Sequence, residues 1–104
     1  MRKHKFLTQE ILSQFRKVWD QSESKDPIIV CKFFDPCSNR TWFATEYYED
    51  DRIFFGYVNG HFPERWTFSL DELMSYQWPL GIGIERDAHF TQRCFSELPN
   101  WERE

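Results

Sequence analysis

The stretch that decides the fold runs from residue 41 to residue 58 and reads TWFATEYYEDDRIFFGYV. Two runs rich in aromatic and β-branched residues flank an acidic segment at 49–51, a composition typical of two strands joined by a turn. Side chains alternate across a strand, so the first run, 41–48, presents two sets of residues. These sets are Thr41, Phe43, Thr45 and Tyr47 on one side, and Trp42, Ala44, Glu46 and Tyr48 on the other.

The residues before this hairpin predict a helix, a loop and a further strand. The helix covers 8–20, because Thr8 is a good N-cap and the apolar positions recur with helical spacing. The segment 21–27 is polar and ends at Pro27, which favours a loop. The run 28–34 is apolar on both faces and predicts one interior strand.

The residues after the hairpin predict a fourth strand and a second helix. Asn59-Gly60 is a strong signal for a short hairpin, leading into a strand through Phe62, Trp66 and Phe68. Ser69 and Glu72 match a capping box, which predicts a short helix that ends near Pro79. Ile82 and Ile84 indicate a closing strand.

Together these elements predict an α+β fold. We expect an antiparallel β-meander of about four to five strands, with the N-terminal helix and the short second helix packed on one face. The chain is predicted to form a single domain over 1–104, with a basic flexible arm at 1–5 and a poorly patterned tail at 96–104.

The composition excludes several classes of protein. Aromatic residues make up 19% of the 104 residues, which contradicts intrinsic disorder. No run of about 18 apolar residues exists, so no membrane span is expected. The net charge is −4: residues 1–52 carry nine basic and nine acidic groups, and residues 53–104 carry four and eight. This balance disfavours nucleic-acid binding, apart from the basic arm.

The cysteines and the start of the chain predict a reducing environment. Cys31, Cys37 and Cys94 are odd in number and irregularly spaced, which favours free thiols in the cytoplasm. The basic start is not followed by the apolar run of a signal peptide. Neither a metal site nor a cofactor is indicated, because short ligand spacings and phosphate-binding glycine loops are missing from the sequence.

Four motifs resemble those of a small bacterial family, domain of unknown function 2958. They are the strand Thr41-Trp42-Phe43-Ala44-Thr45-Glu46, the pair Phe55-Gly56, the helix start at 68–73 (FSLDEL) and the segment at 80–90 (LGIGIERDAHF). The resemblance covers roughly residues 6–95 and departs at Gly83, where the family usually has proline. It implies a compact domain common in plasmids, phages and integrative elements, and it implies no known reaction.

The densest charged motif is Glu85-Arg86-Asp87. With His89 and Glu46 it suggests an acidic site for acid–base catalysis, so Glu46, Glu85, Asp87 and His89 are the weak catalytic candidates. The alternative, which we favour, is that Arg86 pairs with a carboxylate such as Glu46 and fixes the last strand to the sheet. A buried Glu46 would have a raised pKa and would mark a site.

The candidate binding residues are mostly aromatic: Trp42, Tyr48, Tyr57 and Trp66, together with Arg86. A sheet covered on one face only has difficulty hiding 19% aromatic residues, and exposed rings mark protein interfaces. Our first hypothesis is therefore a non-enzymatic accessory protein of a mobile element that binds a protein partner, as a monomer or homodimer. The alternatives are a small enzyme and a nucleic-acid-binding protein that uses the arm at 1–5.

Overall fold

The hairpin at 41–58 forms the middle of a five-stranded sheet in the computed structural model, which describes residues 6–62 and 64–103. The order is β5-β4-β3-β2-β6, every neighbouring pair is antiparallel, and β1 pairs with β7 in a separate two-stranded sheet. The strands are β1 Ile28–Ile29, β2 Cys31–Phe34, β3 Thr41–Tyr48, β4 Ile53–Val58, β5 Arg65–Ser69, β6 Glu85–Arg86 and β7 Arg93–Cys94. The predicted α+β meander is confirmed.

Two helices cover the first face of this sheet. In α1, Gln9–Val18, the Thr8 hydroxyl accepts a hydrogen bond from the Ile11 N–H at 3.1 Å, as a cap should. Phe15 of this helix is buried against Tyr47 and Phe54. The second helix, α2 Leu70–Ser75, begins with the predicted capping box between Ser69 and Glu72.

A β-bulge at Thr45 changes the predicted alternation in β3. Ala44 pairs with Gly56 and Glu46 pairs with Phe55, so Thr45 is the extra residue, and its hydroxyl donates to the Phe55 carbonyl at 2.9 Å. Tyr47 therefore joins Trp42 and Ala44 on the first face, and Glu46 turns to the second. The strict alternation predicted for 41–48 is wrong beyond Ala44.

The second face of the sheet is also covered, which corrects the expectation of a one-sided sheet. A second core contains the buried residues Ile29, Phe43, Tyr57 and Leu98, with Phe62, Phe90 and Phe95 packed around it. Residues 93–98 supply the cover: β7 pairs with β1, the 3₁₀ turn Phe95–Glu97 follows, and Leu98 is buried. Segment 96–104 had too little periodicity to predict this role.

Several element bounds differ from the predictions. The first helix ends at Val18 and not at residue 20, and the second ends at Ser75 and not near Pro79. The expected strand 28–34 is interrupted at Val30, because Val30 and Cys31 both enter the first core and the two-residue alternation breaks there. The connection after Asn59-Gly60 is longer than a two-residue hairpin, since β4 ends at Val58 and β5 begins at Arg65. The closing strand is Glu85–Arg86, after the 3₁₀ turn Pro79–Gly81, and α3 spans Asn100–Arg103.

The basic arm at 1–5 lies outside the described residues. Across the residues that are described, the helices are too short or too polar to cross a membrane.

Leu98→Ala is expected to destabilise the protein by about 2–5 kcal/mol, because it opens a cavity in the second core. The measurement is the free energy of unfolding from urea denaturation. Trp101→Ala is the matched control: its side chain is 76% exposed, so its change should stay within about 0.5 kcal/mol. Equal effects of the two variants would contradict the packing role of Leu98.

Candidate functional site

A groove of about 470 Å³ opens on the first face, between α2 and the ends of β3, β4 and β5. Trp42 and Phe68 are buried in its wall, whereas Trp66 on β5 is 48% exposed. The Tyr76 ring lies 6.0 Å from Trp42, and the His61 ring meets Trp66 edge-on at 5.6 Å. Two of the candidate binding residues, Trp42 and Trp66, thus line one groove.

The main chain of β5 forms an open sheet edge beside this groove. The Leu70 N–H donates to the Arg52 carbonyl at 2.9 Å, so Arg52 and Leu70 form a hydrogen-bonded pair next to the β4–β5 ladder. Bonded and non-bonded pairs alternate in an antiparallel ladder, so Trp66 and Phe68 bond to β4 while the N–H and carbonyl of Thr67 point outward. Thr67 is exposed, and within the described chain β5 pairs with β4 alone.

An apolar loop at 76–82 lies at the same end of the sheet. The Trp78 indole N–H donates to the buried Asp35 carboxylate at 3.0 Å, which fixes the loop to the turn after β2. Leu80 is 96% exposed and has a φ of 70°, a conformation that non-glycine residues rarely adopt. The loop thus holds a large apolar side chain in water in a strained conformation.

The other two aromatic candidates lie on the second face. Tyr57 is buried and stacks on Phe95, with 4.1 Å between the ring centroids. Tyr48 is half-buried, its hydroxyl donates to Glu46 Oε2 at 3.1 Å, and burial raises its pKa to about 12. Neither of them contributes to the groove.

Glu46 is fully buried at the point where the bulge turns it inward. Its Oε2 accepts hydrogen bonds from the Gln21 N–H at 2.7 Å and from the Tyr48 hydroxyl. Burial raises the pKa of the Glu46 carboxyl, and the neighbouring Asp20 carboxylate raises it further. As predicted for a buried position, Glu46 is an acid with a perturbed pKa.

The remaining charged candidates lie elsewhere. Glu85 is exposed and pairs with Phe34, and Asp87 lies 3.8 Å from the Lys32 ammonium and accepts a hydrogen bond from the main-chain N–H of His89 at 2.9 Å. From the register, Glu85 is two strands away from Glu46 and five residues further along, roughly 15–20 Å between Cα atoms. The structure places the main chain of His89 beside the Asp87 carboxylate but does not bring Glu46 to them.

Arg86 does not face Glu46 either. It pairs with Phe33 and so lies on the first face, whereas Glu46 lies on the second. The favoured Arg86–Glu46 pairing is therefore not the contact that joins β6 to the sheet. That strand is joined through its ladder with β2 and through the Asp87 N–H, which donates to the Lys32 carbonyl at 2.9 Å.

Sequence reasoning missed two features near these sites, the polar contacts of Glu46 and the exposure of Leu80. The contacts of Asp20 and Gln21 with Glu46 are tertiary. Neither the helical spacing of 8–20 nor the polar composition of 21–27 indicates them. The exposure of Leu80 had a signal in the sequence: an apolar residue between proline and glycine, in a turn, is a candidate for exposure.

Across the described residues, no three His, Cys, Asp or Glu side chains are grouped as a metal would require.

Comparison with known proteins gives one match. A family model described as "Protein of unknown function (DUF2958)" matches residues 5–103, nearly the whole chain. Neither a curated protein nor a solved structure matches this chain.

Gly56→Ala is expected to destabilise the protein by about 3 kcal/mol or more, because the added Cβ would lie 2.0 Å from the Phe43 carbonyl oxygen. This close approach belongs to the bulge that turns Glu46 inward. The measurement is the unfolding free energy, with Gly60→Asn as control.

Gly60 has open space around it and a φ of 91°, so Asn there should cost less than about 1 kcal/mol. A tolerated Gly56→Ala would show that β3 and β4 do not approach as closely as the register indicates.

Proposed function

We propose that this chain, which belongs to the DUF2958 family of proteins of unknown function, is a protein-binding module that accepts an extended segment of a partner along β5. The observation that carries the proposal is the outward-facing main chain of Thr67 beside the groove. An unpaired edge offers N–H and carbonyl groups to an incoming strand, and pockets next to it select alternate side chains.

The groove lies on the side of the edge that such a segment needs. Trp66 and Phe68 point to the first face, so every second residue of an added strand would also point there. Trp66 is a large, half-exposed ring that lines the same groove as the buried Trp42, the arrangement typical of an interface anchor. A side chain inserted between Trp66 and Tyr76 would bury apolar surface on both.

The surroundings of the groove favour a partner rather than solvent. Arg40 lines the groove, is exposed, and forms no ion pair with the described residues, so it can accept a carboxylate of the partner. Leu80 and Trp78 add exposed apolar area at the same end of the sheet. Clustered exposed apolar side chains are typical of binding surfaces.

The family resemblance supplies the biological setting of the proposal. On that resemblance we propose that the chain is an accessory protein of a plasmid, phage or integrative element. We accordingly propose that its partner is a host protein or a protein of the element, and that inhibition of a host defence system is one role of this kind. The lack of convergence between Glu46 and the acids at 85 and 87 favours binding over catalysis.

Thr67→Pro is expected to weaken partner binding by at least about tenfold, because it removes an outward N–H while the ladder to β4 stays intact. Thr67→Val, which keeps the N–H, is the matched control and should bind like the wild type. The readout is the set of proteins retained from host lysate by each variant, followed by titration of the purified partner.

A second pair of variants tests the groove. Trp66→Ala should lower the affinity for the same partner by about thirtyfold or more. Trp101→Ala, a substitution at a more exposed tryptophan, should have no effect. The proposal would be overturned if both Thr67→Pro and Trp66→Ala still retained the partner. It would also be overturned if Trp101→Ala weakened the binding as much as Trp66→Ala does.

A further inference from the structure

The loop that follows α1 is attached to the second face of the sheet through polar contacts. We refer to residues 20–24 as the anchor loop. The Gln21 side-chain amide donates to the carbonyls of Ile28 and Thr45 at 2.8 and 2.9 Å and accepts from the Ile28 N–H at 2.7 Å. The Gln21 main-chain N–H donates to Glu46 Oε2 at 2.7 Å.

Arg65 holds the same loop from the edge strand. Its guanidinium donates to the carbonyls of Gln21, Ser22 and Ser24 at 3.0–3.1 Å. It also lies over the Phe55 ring at 5.2 Å. The anchor loop is therefore held by Glu46 on β3 and by Arg65 on β5, in addition to the bonds of the Gln21 side chain with Ile28 and Thr45.

The two oxygens of Glu46 have different surroundings. Oε2 accepts two hydrogen bonds. Oε1 is buried, and none of the described residues donates a hydrogen bond to it. A buried ionised oxygen without a donor is costly. If Glu46 is neutral, a proton on Oε1 gives it a donor, and the Asp20 carboxylate is the acceptor with which it interacts.

Burial and the Asp20 carboxylate favour the neutral form of Glu46, whereas the Gln21 N–H and the Tyr48 hydroxyl, which donate to Oε2, favour the ionised form. Asp20, on the loop, is an exposed carboxylate that accepts from the Ser22 N–H at 2.8 Å. Tyr48, on β3, donates its hydroxyl to Glu46. Arg65, on β5, is the nearby cation, and its N–H groups are directed to the loop carbonyls.

We propose that Glu46 and Asp20 share one proton, and that this carboxyl–carboxylate pair is a pH-sensitive latch that holds the anchor loop on the sheet. When the proton is lost, two negative carboxylates face each other and the buried Oε1 has no donor. The loop then opens more often, which exposes Glu46 to water and loosens the Arg65 contacts on β5. This inference does not depend on the proposed docking of a partner.

The direction of the pH effect follows from linkage. Burial raises the pKa of Glu46 above its ordinary value of 4.5 in the folded chain. The stability that its proton contributes is therefore complete below that ordinary value and is lost as the pH rises through the folded pKa. Hydrogen bonds with Ser22 lower the pKa of Asp20 below 3.8, so its contribution is lost only as the pH falls through that lower value.

The test is amide hydrogen exchange of Gln21 and a carbon-13 NMR titration of the Glu46 carboxyl, both in the full chain. From about pH 5 to pH 8, the Gln21 protection factor of the wild type should fall about tenfold or more. In Glu46→Gln the factor should not change with pH, because the amide donates to Asp20 in place of the proton. A protection factor in the wild type that is flat over this range would overturn the proposal.

Asp20→Asn provides a second test that does not depend on changing the buried group. The Asn amide can donate to Glu46 Oε1, which stabilises the ionised form, so the Glu46 titration should move to lower pH by about half a unit or more. Asp51→Asn, at another exposed aspartate, is the matched control and should leave the titration in place. An equal midpoint in both variants would show that Asp20 and Glu46 do not share a proton.

Discussion

The close approach of β3 and β4 at Gly56 is the constraint on which the rest of the structure depends. The residue has no Cβ, and the Phe43 carbonyl occupies the space where one would be. Next to it, Thr45 is left out of the ladder and donates its hydroxyl to Phe55. Because of this bulge, Tyr47 packs on the helix-covered face and Glu46 lies on the opposite face. One strand thus contributes buried side chains to both faces of the sheet.

The two faces of the sheet bury different kinds of side chain. The first is an aromatic core under α1, in which the Phe54 ring lies 4.6–6.0 Å from those of Phe15, Phe33, Phe68 and Tyr47. The second combines rings with a buried acid and a polar loop. An aromatic core fixes the fold without responding to its surroundings, whereas a buried carboxyl couples local structure to the availability of a proton.

Sequence patterns predicted the elements better than their packing. Thr8, Ser69 and Glu72 are local signals, and they cap the helices as their spacing indicates. The bulge at Thr45 and the cover supplied by Leu98 depend on distant residues, which periodicity does not report. For the site, composition indicated an aromatic surface, and the structure distributes those rings over a groove and two cores. The position of Glu46 could not be predicted, because the bulge reverses its face.

The attachment of segment 93–98 has a consequence for how the chain reaches this structure. Ser96 donates to the Asp26 carboxylate from both its N–H and its hydroxyl at 2.7 Å, across 70 residues of sequence. Contacts at such separation form slowly, because a long loop must close first. Until they form, Phe43 and Tyr57 lack the cover that Phe95 and Leu98 give them on the second face. During synthesis on the ribosome, the sheet therefore passes through a stage in which one face is an incompletely covered aromatic surface, open to chaperones or to premature association.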